Sequence, residues 1–135
     1  MNAVLVDSNV LLDLVTEDPA WFEWSARSIE HTGERYRLVI NPVVYAEVST
    51  DFASVEDLDL ALPADLFVRE AIPFEAAFLA GKCFITYRRR GGSRTIPLPD
   101  FFIGAHASVA GYQLLTRDTK RYRDYFPKLP LIAPG

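Results

Sequence analysis

Four acidic residues occupy positions where carboxylates could carry chemistry: Asp7, Glu47, Asp100 and Asp118. Asp7 directly follows the apolar run 3–6, and Asp118 comes shortly after the run 112–115. Short apolar runs of this kind are typical of buried strands in a parallel sheet, so both aspartates follow predicted strand ends. Each could be an ordinary polar turn residue. If the four acids share one edge of a sheet, they could instead bind a cation.

Asp100 opens a predicted buried helix within residues 96–111. Two prolines precede the acid, and nearly every later position is apolar, small or weakly polar. An acid in a first helical turn can cap free backbone N–H groups and meets the positive end of the helix dipole. It could also face a cation held against a neighbouring strand end. Its helical face continues with small residues that would let another backbone come close: Gly104, Ala107 and Gly111.

Glu47 lies in another predicted helix, which follows the predicted strand 37–40. Asn41 is a suitable N-cap and Pro42 a suitable first helical residue. The acid falls on an apolar face marked by Val43, Val44 and Val48. Because burying an unpaired ionised carboxylate is costly, Glu47 must pair with a cation, be protonated or lie at the edge of that face. A simple salt bridge would also satisfy it.

The charge distribution isolates two of these acids. Residues 1–81 carry four basic and fifteen acidic side chains, whereas residues 82–123 carry nine basic and two acidic ones. The two acids of the basic segment are Asp100 and Asp118, which makes them candidates for holding a cation. The net charge of −4 by itself argues against a nucleic-acid partner. The basic run within 88–94 could still contact phosphates from a flexible loop, or its arginines could remain in water at a helix end.

Predicted strands and helices alternate around these acids. The remaining predicted elements are helices at 10–15, capped by Ser8 or Asn9, and at 20–31, a helical stretch over 54–90, a turn or short helix at 120–123 and a strand at 129–132. This alternation predicts an α/β fold with a mainly parallel central β-sheet flanked by α-helices, in three α/β/α layers. Ligands of such folds gather at the carboxyl ends of the strands.

Four converging carboxylates repel one another unless a cation neutralises them. An all-oxygen set without cysteine suits Mg²⁺ or Mn²⁺. Such ions lower the pKa of an attacking water and stabilise a leaving oxygen, which is the chemistry of phosphodiester hydrolysis. Neither histidine is needed for it, and we expect His106 to be structural or partly exposed.

The composition fits one ordinary domain, residues 1–135. Half of the residues are hydrophobic, which supports a real core and argues against disorder. The single cysteine, Cys83, has no second thiol for a disulfide or a zinc site, so we expect it in the core. No apolar run approaches the roughly 20 residues of a membrane span, and the start lacks the features of a signal peptide. We therefore expect a cytoplasmic protein.

Four segments of the chain, taken together in this order and spacing, form a specific pattern. They are Val-Leu-Val-Asp-Ser-Asn-Val-Leu-Leu-Asp, Ile-Asn-Pro-Val-Val-Tyr-Ala-Glu-Val-Ser, Leu-Pro-Asp-Phe-Phe-Ile-Gly-Ala-His-Ala and Leu-Leu-Thr-Arg-Asp-Thr-Lys-Arg-Tyr. The chain resembles the PIN-domain ribonucleases over nearly its whole length, and specifically the VapC toxins of bacterial VapBC toxin-antitoxin pairs.

This resemblance implies a single PIN domain with Mg²⁺- or Mn²⁺-dependent endoribonuclease activity. It also implies a homodimer, neutralised by a small VapB-type antitoxin in a heterotetramer or larger assembly. The family's acidic site maps onto Asp7, Glu47, Asp100 and Asp118, with polar support from Ser8, Asn9 and Thr116. Many relatives carry Thr where this chain has Ser8, which keeps the hydroxyl. Candidate RNA contacts are Arg88, Arg89, Arg90, Arg94 and Arg117.

Two other classes of protein remain open. A phosphoacceptor receiver module would also be a small α/β domain with acids at strand ends, but it needs paired acids after the first strand, where this chain has Ser8 and Asn9. A PIN-like interaction protein without activity is the third possibility. Retention of all four acids argues against it.

Overall fold

The computed structural model describes residues 2–94 and 98–135. The predicted stiffening of the approach to Asp100 falls partly on Pro97, which lies outside these residues. Within them, five strands form one parallel sheet in the order β3-β2-β1-β4-β5: β1 Ala3–Val6, β2 Arg37–Ile40, β3 Phe67–Arg69, β4 Gln113–Leu115 and β5 Leu131–Ile132. The predicted α/β/α fold with a parallel sheet is confirmed.

The central strand is β1, which lies between β2 and β4, and all four of its side chains are buried. Leu5 pairs with Val39 of β2 on one side and with Leu114 of β4 on the other. A strand covered on both faces loses its alternation of apolar and polar residues, which explains its continuous apolar sequence. The residue that follows it, Asp7, therefore leaves the sheet at its centre.

Seven helices accompany the sheet in the described residues: α1 Ser8–Val15, α2 Phe22–Gly33, α3 Pro42–Ser49, α4 Val55–Ala61, α5 Phe74–Arg89, α6 Pro99–Ala110 and α7 Lys120–Tyr125. Helix α6 packs along α5 and also contacts α3, α7 and the strands β1 and β4. Its side chains from Ile103 to Ala107 are all buried. Helix α6 is therefore central to the packing that orients the neighbouring helices.

The helix starts follow local capping chemistry. The Asn41 side-chain oxygen accepts a hydrogen bond from the Val44 N–H at 2.9 Å, as predicted for the start of α3. Ser54 likewise accepts from the Asp57 N–H at 3.1 Å. The predicted cap of α1 is wrong: the helix begins at Ser8, and the capping side chain is Asp7 rather than Ser8 or Asn9.

Strand β3 corrects the prediction of helix throughout 54–90. Phe67 is its only fully buried residue, so its three positions show too little periodicity to be recognised. The strand forms by pairing Phe67, Val68 and Arg69 with β2. Cys83 is buried, as predicted.

The small face of α6 accommodates a side chain rather than another backbone at Gly104. A Cβ at this position would lie 2.4 Å from a ring carbon of Phe126, so the predicted role of Gly104 is wrong. Gly111 ends the helix in the left-handed conformation, with φ of 75°. None of the helices in the described part of the chain is long and apolar enough to cross a membrane.

Candidate active site

Asp7 is a buried carboxylate at the carboxyl end of the central strand, with only 2% of its surface exposed. Its Oδ1 accepts from the Ser8 N–H at 2.8 Å, and its Oδ2 accepts from the hydroxyls of Thr116 at 2.8 Å and Tyr122 at 3.0 Å. The Asn9 amide adds a longer hydrogen bond of 3.3 Å. These donors fix the orientation of the carboxylate.

Burial dominates the acid–base behaviour of Asp7. Loss of water raises its pKa from 3.8 to about 7, and the negative charge of Asp100 acts in the same direction. The hydrogen bonds from Thr116, Tyr122 and the Ser8 N–H oppose this rise. A bound cation would favour the ionised carboxylate.

Ser8 connects Asp7 to the second acid. Its hydroxyl donates to Glu47 Oε1 at 2.7 Å and lies 3.5 Å from Asp7 Oδ1. Glu47 is half-buried at the edge of its helix face, which is one of the three arrangements predicted for it. The hydroxyl therefore joins acids that are 40 positions apart in the sequence.

Asp100 lies in the first turn of α6, as predicted. Of the two interpretations of this acid, capping by its side chain is wrong, because the N-cap is Leu98 and no side-chain hydrogen bond caps this helix. Its carboxylate oxygen Oδ2 instead lies 3.4 Å from Arg121 Nε on α7. Burial raises the pKa of Asp100, the Arg121 charge opposes this, and the charges of Glu47 and Asp118 add to it. These effects link Asp100 electrostatically to both acids.

Asp118 is the exposed member of the set, on the loop after β4. Its backbone N–H donates to the Thr116 hydroxyl at 3.1 Å, and the Asn9 amide donates to the same oxygen at 3.3 Å. The polar helpers Asn9 and Thr116 thus tie this loop to Asp7. We call Asp7, Glu47, Asp100 and Asp118 the four-acid cluster.

The sequence interpretation missed Tyr122, a completely buried residue whose hydroxyl donates to Asp7. Burial raises the pKa of Tyr122 well above its usual value, and the charges of Asp7 and Asp100 raise it further. The hydroxyl therefore remains a proton donor at neutral pH. Its place in the basic run of the sequence gave no signal for this role.

Asp13 is another buried acid that the sequence interpretation did not identify. Its two oxygens accept from Arg117 Nε at 2.8 Å and Nη2 at 3.1 Å, and the Ser25 hydroxyl donates to it at 2.7 Å. The guanidinium also lies 5.4 Å from the centre of the Trp21 ring. Arg117, one of the predicted RNA contacts, anchors the loop that carries Asp118, and its contact with RNA stays a prediction.

The other predicted RNA-binding arginines lie in the last turn of α5 and on the loop that follows it, and all are exposed: Arg88, Arg89, Arg90 and Arg94. The Arg88 guanidinium donates to the backbone carbonyl of Arg94, and the Arg90 guanidinium lies 4.9 Å from the centre of the Tyr125 ring. These contacts tie the loop after α5 to the end of that helix and to α7. Its contact with RNA stays a prediction.

His106 is structural, as predicted, and is completely buried rather than partly exposed. Its Nδ1 lies 3.1 Å from Asn41 Nδ2 and its Nε2 lies 2.9 Å from Glu70 Oε1. Tyr112 donates its hydroxyl to both oxygens of Glu70. Burial tends to raise the pKa of Glu70, but the hydrogen bonds from His106 and Tyr112 hold it below its usual value. None of the residues in this network belongs to the four-acid cluster.

A family model described as PIN domain matches residues 4–126. The chain belongs to the PIN domain family. A comparison with curated proteins gives no match.

Solved structures with the same fold as this PIN domain come from bacterial toxin-antitoxin complexes. VapBC2 from Rickettsia felis, bound to a DNA fragment from their promoter, shares 17% identity over 98% of this chain and 99% of that chain, with a TM-score of 0.74. VapBC-1 from nontypeable Haemophilus influenzae shares 18% sequence identity over 97% of both chains, with a TM-score of 0.72. A toxin-antitoxin complex from Klebsiella pneumoniae shares 21% sequence identity over 98% of both chains, with a TM-score of 0.69. The likeness at these identities lies in the fold.

The donor chemistry of this PIN domain suits a hard divalent cation. All four acids offer carboxylate oxygens, and within residues 2–94 and 98–135 no Lys or Arg forms an ion pair with Asp7. In the same ranges, no three acidic, histidine or cysteine side chains are already arranged to hold one ion. The types of donor therefore fit such a cation, while their spacing in the described residues does not yet form a complete site.

Proposed function

We propose that this chain is a Mg²⁺- or Mn²⁺-dependent endoribonuclease and acts as the VapC-type toxin of a type II toxin-antitoxin pair. The observation that carries the proposal is the four-acid cluster at the carboxyl edge of the sheet, in a chain that belongs to the PIN family. Burial raises the pKa of Asp7 and of Asp100, and the neighbouring acids add to both shifts. Such carboxylates have little structural value, because they destabilise the fold unless a cation neutralises them. A cation-dependent function accounts for their presence.

The chain's own residues have separable roles in this proposal. The four carboxylates would hold the cation, with Asp7 fixed most firmly because Ser8, Thr116 and Tyr122 donate to it. The Ser8 hydroxyl orients Glu47, and the Asp13–Arg117 pair holds the loop of Asp118. A bound Mg²⁺ or Mn²⁺ would lower the pKa of the water that attacks the phosphodiester and stabilise the leaving oxygen.

The partners are proposed from the complexes in which the similar structures were solved and from the resemblance to VapC toxins. The Rickettsia and Haemophilus structures are VapBC complexes. We therefore propose a VapB-type antitoxin as the partner, a homodimeric toxin and a heterotetramer or larger complex between them, in the cytoplasm. Co-expression with the product of a short neighbouring gene, followed by size-exclusion chromatography with light scattering, tests both the partner and the stoichiometry.

The test of activity compares the wild type with Asp100→Asn on a structured RNA in the presence of Mn²⁺. The substitution keeps the size of the side chain and removes one charge from the cluster. We expect loss of cleavage by at least about 100-fold, because a charged ligand of the cation is lost. Asp65→Asn is the matched control, since Asp65 is exposed and distant from the cluster in the sequence. It should cleave as the wild type does.

A titration with Mn²⁺ separates the activity from the alternative of a PIN-like interaction protein. Cation binding that Asp100→Asn weakens, without any RNA cleavage by the wild type, would favour a binding module. Identical behaviour of the wild type and Asp100→Asn in both cleavage and titration would overturn the proposal.

A further inference from the structure

A pocket of about 280 Å³ opens beside the four-acid cluster and has no role in the proposed chemistry. It lies between the end of α5, the loop after β4 and α7, and is lined by Tyr87, Asp118, Lys120, Arg121, Asp124 and Tyr125. Asp118 belongs to both the pocket and the cluster. Arg121 lines the pocket and also lies 3.4 Å from Asp100. Whatever occupies the pocket is therefore adjacent to the acids.

Both aromatic walls of the pocket pack on one buried residue, Phe101, and Tyr87 also stacks on Phe84 with ring centres 6.3 Å apart. Phe101 contacts Tyr87 edge-on, with ring centres 5.8 Å apart, and contacts Tyr125 edge-on at 5.0 Å. Phe101 is completely buried, whereas both tyrosines are partly exposed. Rings supported in this way lose little conformational freedom when a planar ligand stacks on them.

Planar cations already lie against these rings. The Arg121 guanidinium carbon is 5.8 Å from the centre of the Tyr87 ring, and that of Arg90 is 4.9 Å from the centre of the Tyr125 ring. Guanidinium planes and aromatic faces are the two surfaces on which proteins stack unpaired bases. Lys120 at the rim pairs with Asp124 at 3.1 Å across one helical turn, with 87% of the lysine side chain exposed. An exposed pair of this kind is weak, so Lys120 can exchange Asp124 for a phosphate.

We infer that this pocket is a subsite for one base of single-stranded RNA, next to the phosphodiester that the four-acid cluster would cleave. The inference rests on the proposed function and assigns specificity to residues outside the cluster. Stacking faces combined with cations suit a nucleotide better than an apolar peptide side chain, which gains nothing from Lys120 or Arg121. Tyr87 and Tyr125 then favour a base at this position, and the identity of the base would depend on contacts to its edge.

The experiment measures binding of fluorescein-labelled RNA hexamers by anisotropy in EDTA, so that no cleavage occurs. One set of hexamers carries a single abasic site at each position in turn. We expect one abasic position to weaken binding to the wild type by about 5- to 100-fold, the usual value of one stacked base. In Tyr125→Leu, which keeps an apolar contact to Phe101 without a ring face, and in Tyr87→Leu, that penalty should disappear.

Two further variants make the result specific. Tyr125→Phe keeps the ring and should retain the abasic penalty. Tyr36→Leu is the control, because Tyr36 is a partly exposed tyrosine with its own arginine, Arg35, 5.8 Å from the ring centre and far from this pocket in the sequence. Thermal melting of each variant identifies any loss of folding; if one leucine variant does not fold, the other one and the abasic scan of the wild type decide the test. Lys120→Ala should weaken intact and abasic hexamers equally, because its contact would be with a phosphate.

The outcomes distinguish this inference from the proposed function. An abasic penalty that persists in both leucine variants, or equal small losses at every position in the wild type, would overturn the subsite while cleavage could still stand. A position-specific penalty in a wild type that cleaves no RNA with Mn²⁺ would support the subsite and overturn the nuclease. A tryptophan-containing peptide that binds the wild type and not Tyr125→Leu, with no abasic penalty for RNA, would assign the pocket to a protein segment and overturn the inference.

Discussion

Asn41 Nδ2 lies 3.1 Å from His106 Nδ1, and this contact joins the two helices that carry Glu47 and Asp100. The Asn41 side-chain oxygen already accepts from the Val44 N–H, so the amide group must be the donor to His106. His106 Nδ1 is therefore the acceptor, and Nε2 carries the hydrogen that Glu70 accepts. The cap of α3 thus fixes the tautomer of a histidine on α6.

Replacing His106 with leucine should destabilise the protein by about 2–4 kcal/mol, because it leaves the Asn41 amide without its acceptor and removes a donor from Glu70. Urea unfolding followed by circular dichroism measures this loss. His31→Leu is the control, since His31 is exposed on α2 and its replacement should change the free energy of unfolding by less than about 0.5 kcal/mol. Equal, small effects of the two substitutions would contradict the coupling role of His106.

Because of Asp7, the free energy of unfolding should fall as the pH rises. Its pKa is 3.8 in an unfolded chain and about 7 when folded, so between about pH 4 and pH 7 the folded protein binds more protons than the unfolded one. Asp7→Asn lacks this dependence. Its free energy of unfolding, relative to the wild type, should therefore increase from pH 4 to pH 8, by on the order of 4 kcal/mol.

The same measurement reports on cation binding. Mg²⁺ or Mn²⁺ should stabilise the wild type at pH 8, where Asp7 is ionised, and have little effect on Asp7→Asn. Parallel pH profiles of the two proteins without metal would mean that Asp7 titrates in the folded state as it does in water.

The carboxylates themselves could be predicted from the sequence because strand ends and helix starts have local signatures. Asp7 and Asp118 follow apolar runs, and the Asn41–Pro42 start sets the phase of the helix that carries Glu47. The contact of Tyr122 with Asp7 could not be predicted, because the direction of the tyrosine side chain depends on how α7 packs on α6. Asp13 looked like any helical acid, since its burial comes from α2 and its partner lies 104 positions away. Local patterns do not encode such long-range partners.

Arg121 should compete with a cation for Asp100. Arg121→Met keeps much of the apolar stem that packs near Tyr87 and Phe101, but removes the positive charge 3.4 Å from Asp100. We expect Mn²⁺ to bind about fivefold more tightly at pH 8, as measured by calorimetry, because roughly 1 kcal/mol of like-charge repulsion is lost. Arg123→Met, an exposed arginine on the same helix, should leave the affinity unchanged. Weaker binding to Arg121→Met would show that the arginine supports the site.

The arginines of the loop at 88–94, which includes the end of α5, should contact phosphates. Charge reversal of Arg88, Arg89 and Arg90 to glutamate should weaken binding of single-stranded RNA, and more strongly at low salt than at high salt. The slope of log K against log salt should fall in magnitude by about two, at roughly 0.7 per phosphate contact. Reversal of the exposed Arg27 and Arg35 is the comparison, and it should change the slope much less. An unchanged slope in the triple variant would remove the loop from the RNA interface.

Gly104 should tolerate no side chain, although nothing in its backbone conformation requires glycine. A Cβ here would lie 2.4 Å from the ring of Phe126, which is itself only 6% exposed and cannot easily move away. Gly104→Ala should therefore destabilise the protein by about 1–3 kcal/mol, despite the better helix propensity of alanine. Gly81→Ala on α5 is the matched control: no atom lies within 4 Å of its Cβ position, so the substitution should stabilise the protein by up to about 1 kcal/mol. Thermal unfolding of both variants decides the matter, and stabilisation by Gly104→Ala would mean that Phe126 and α7 adjust without cost.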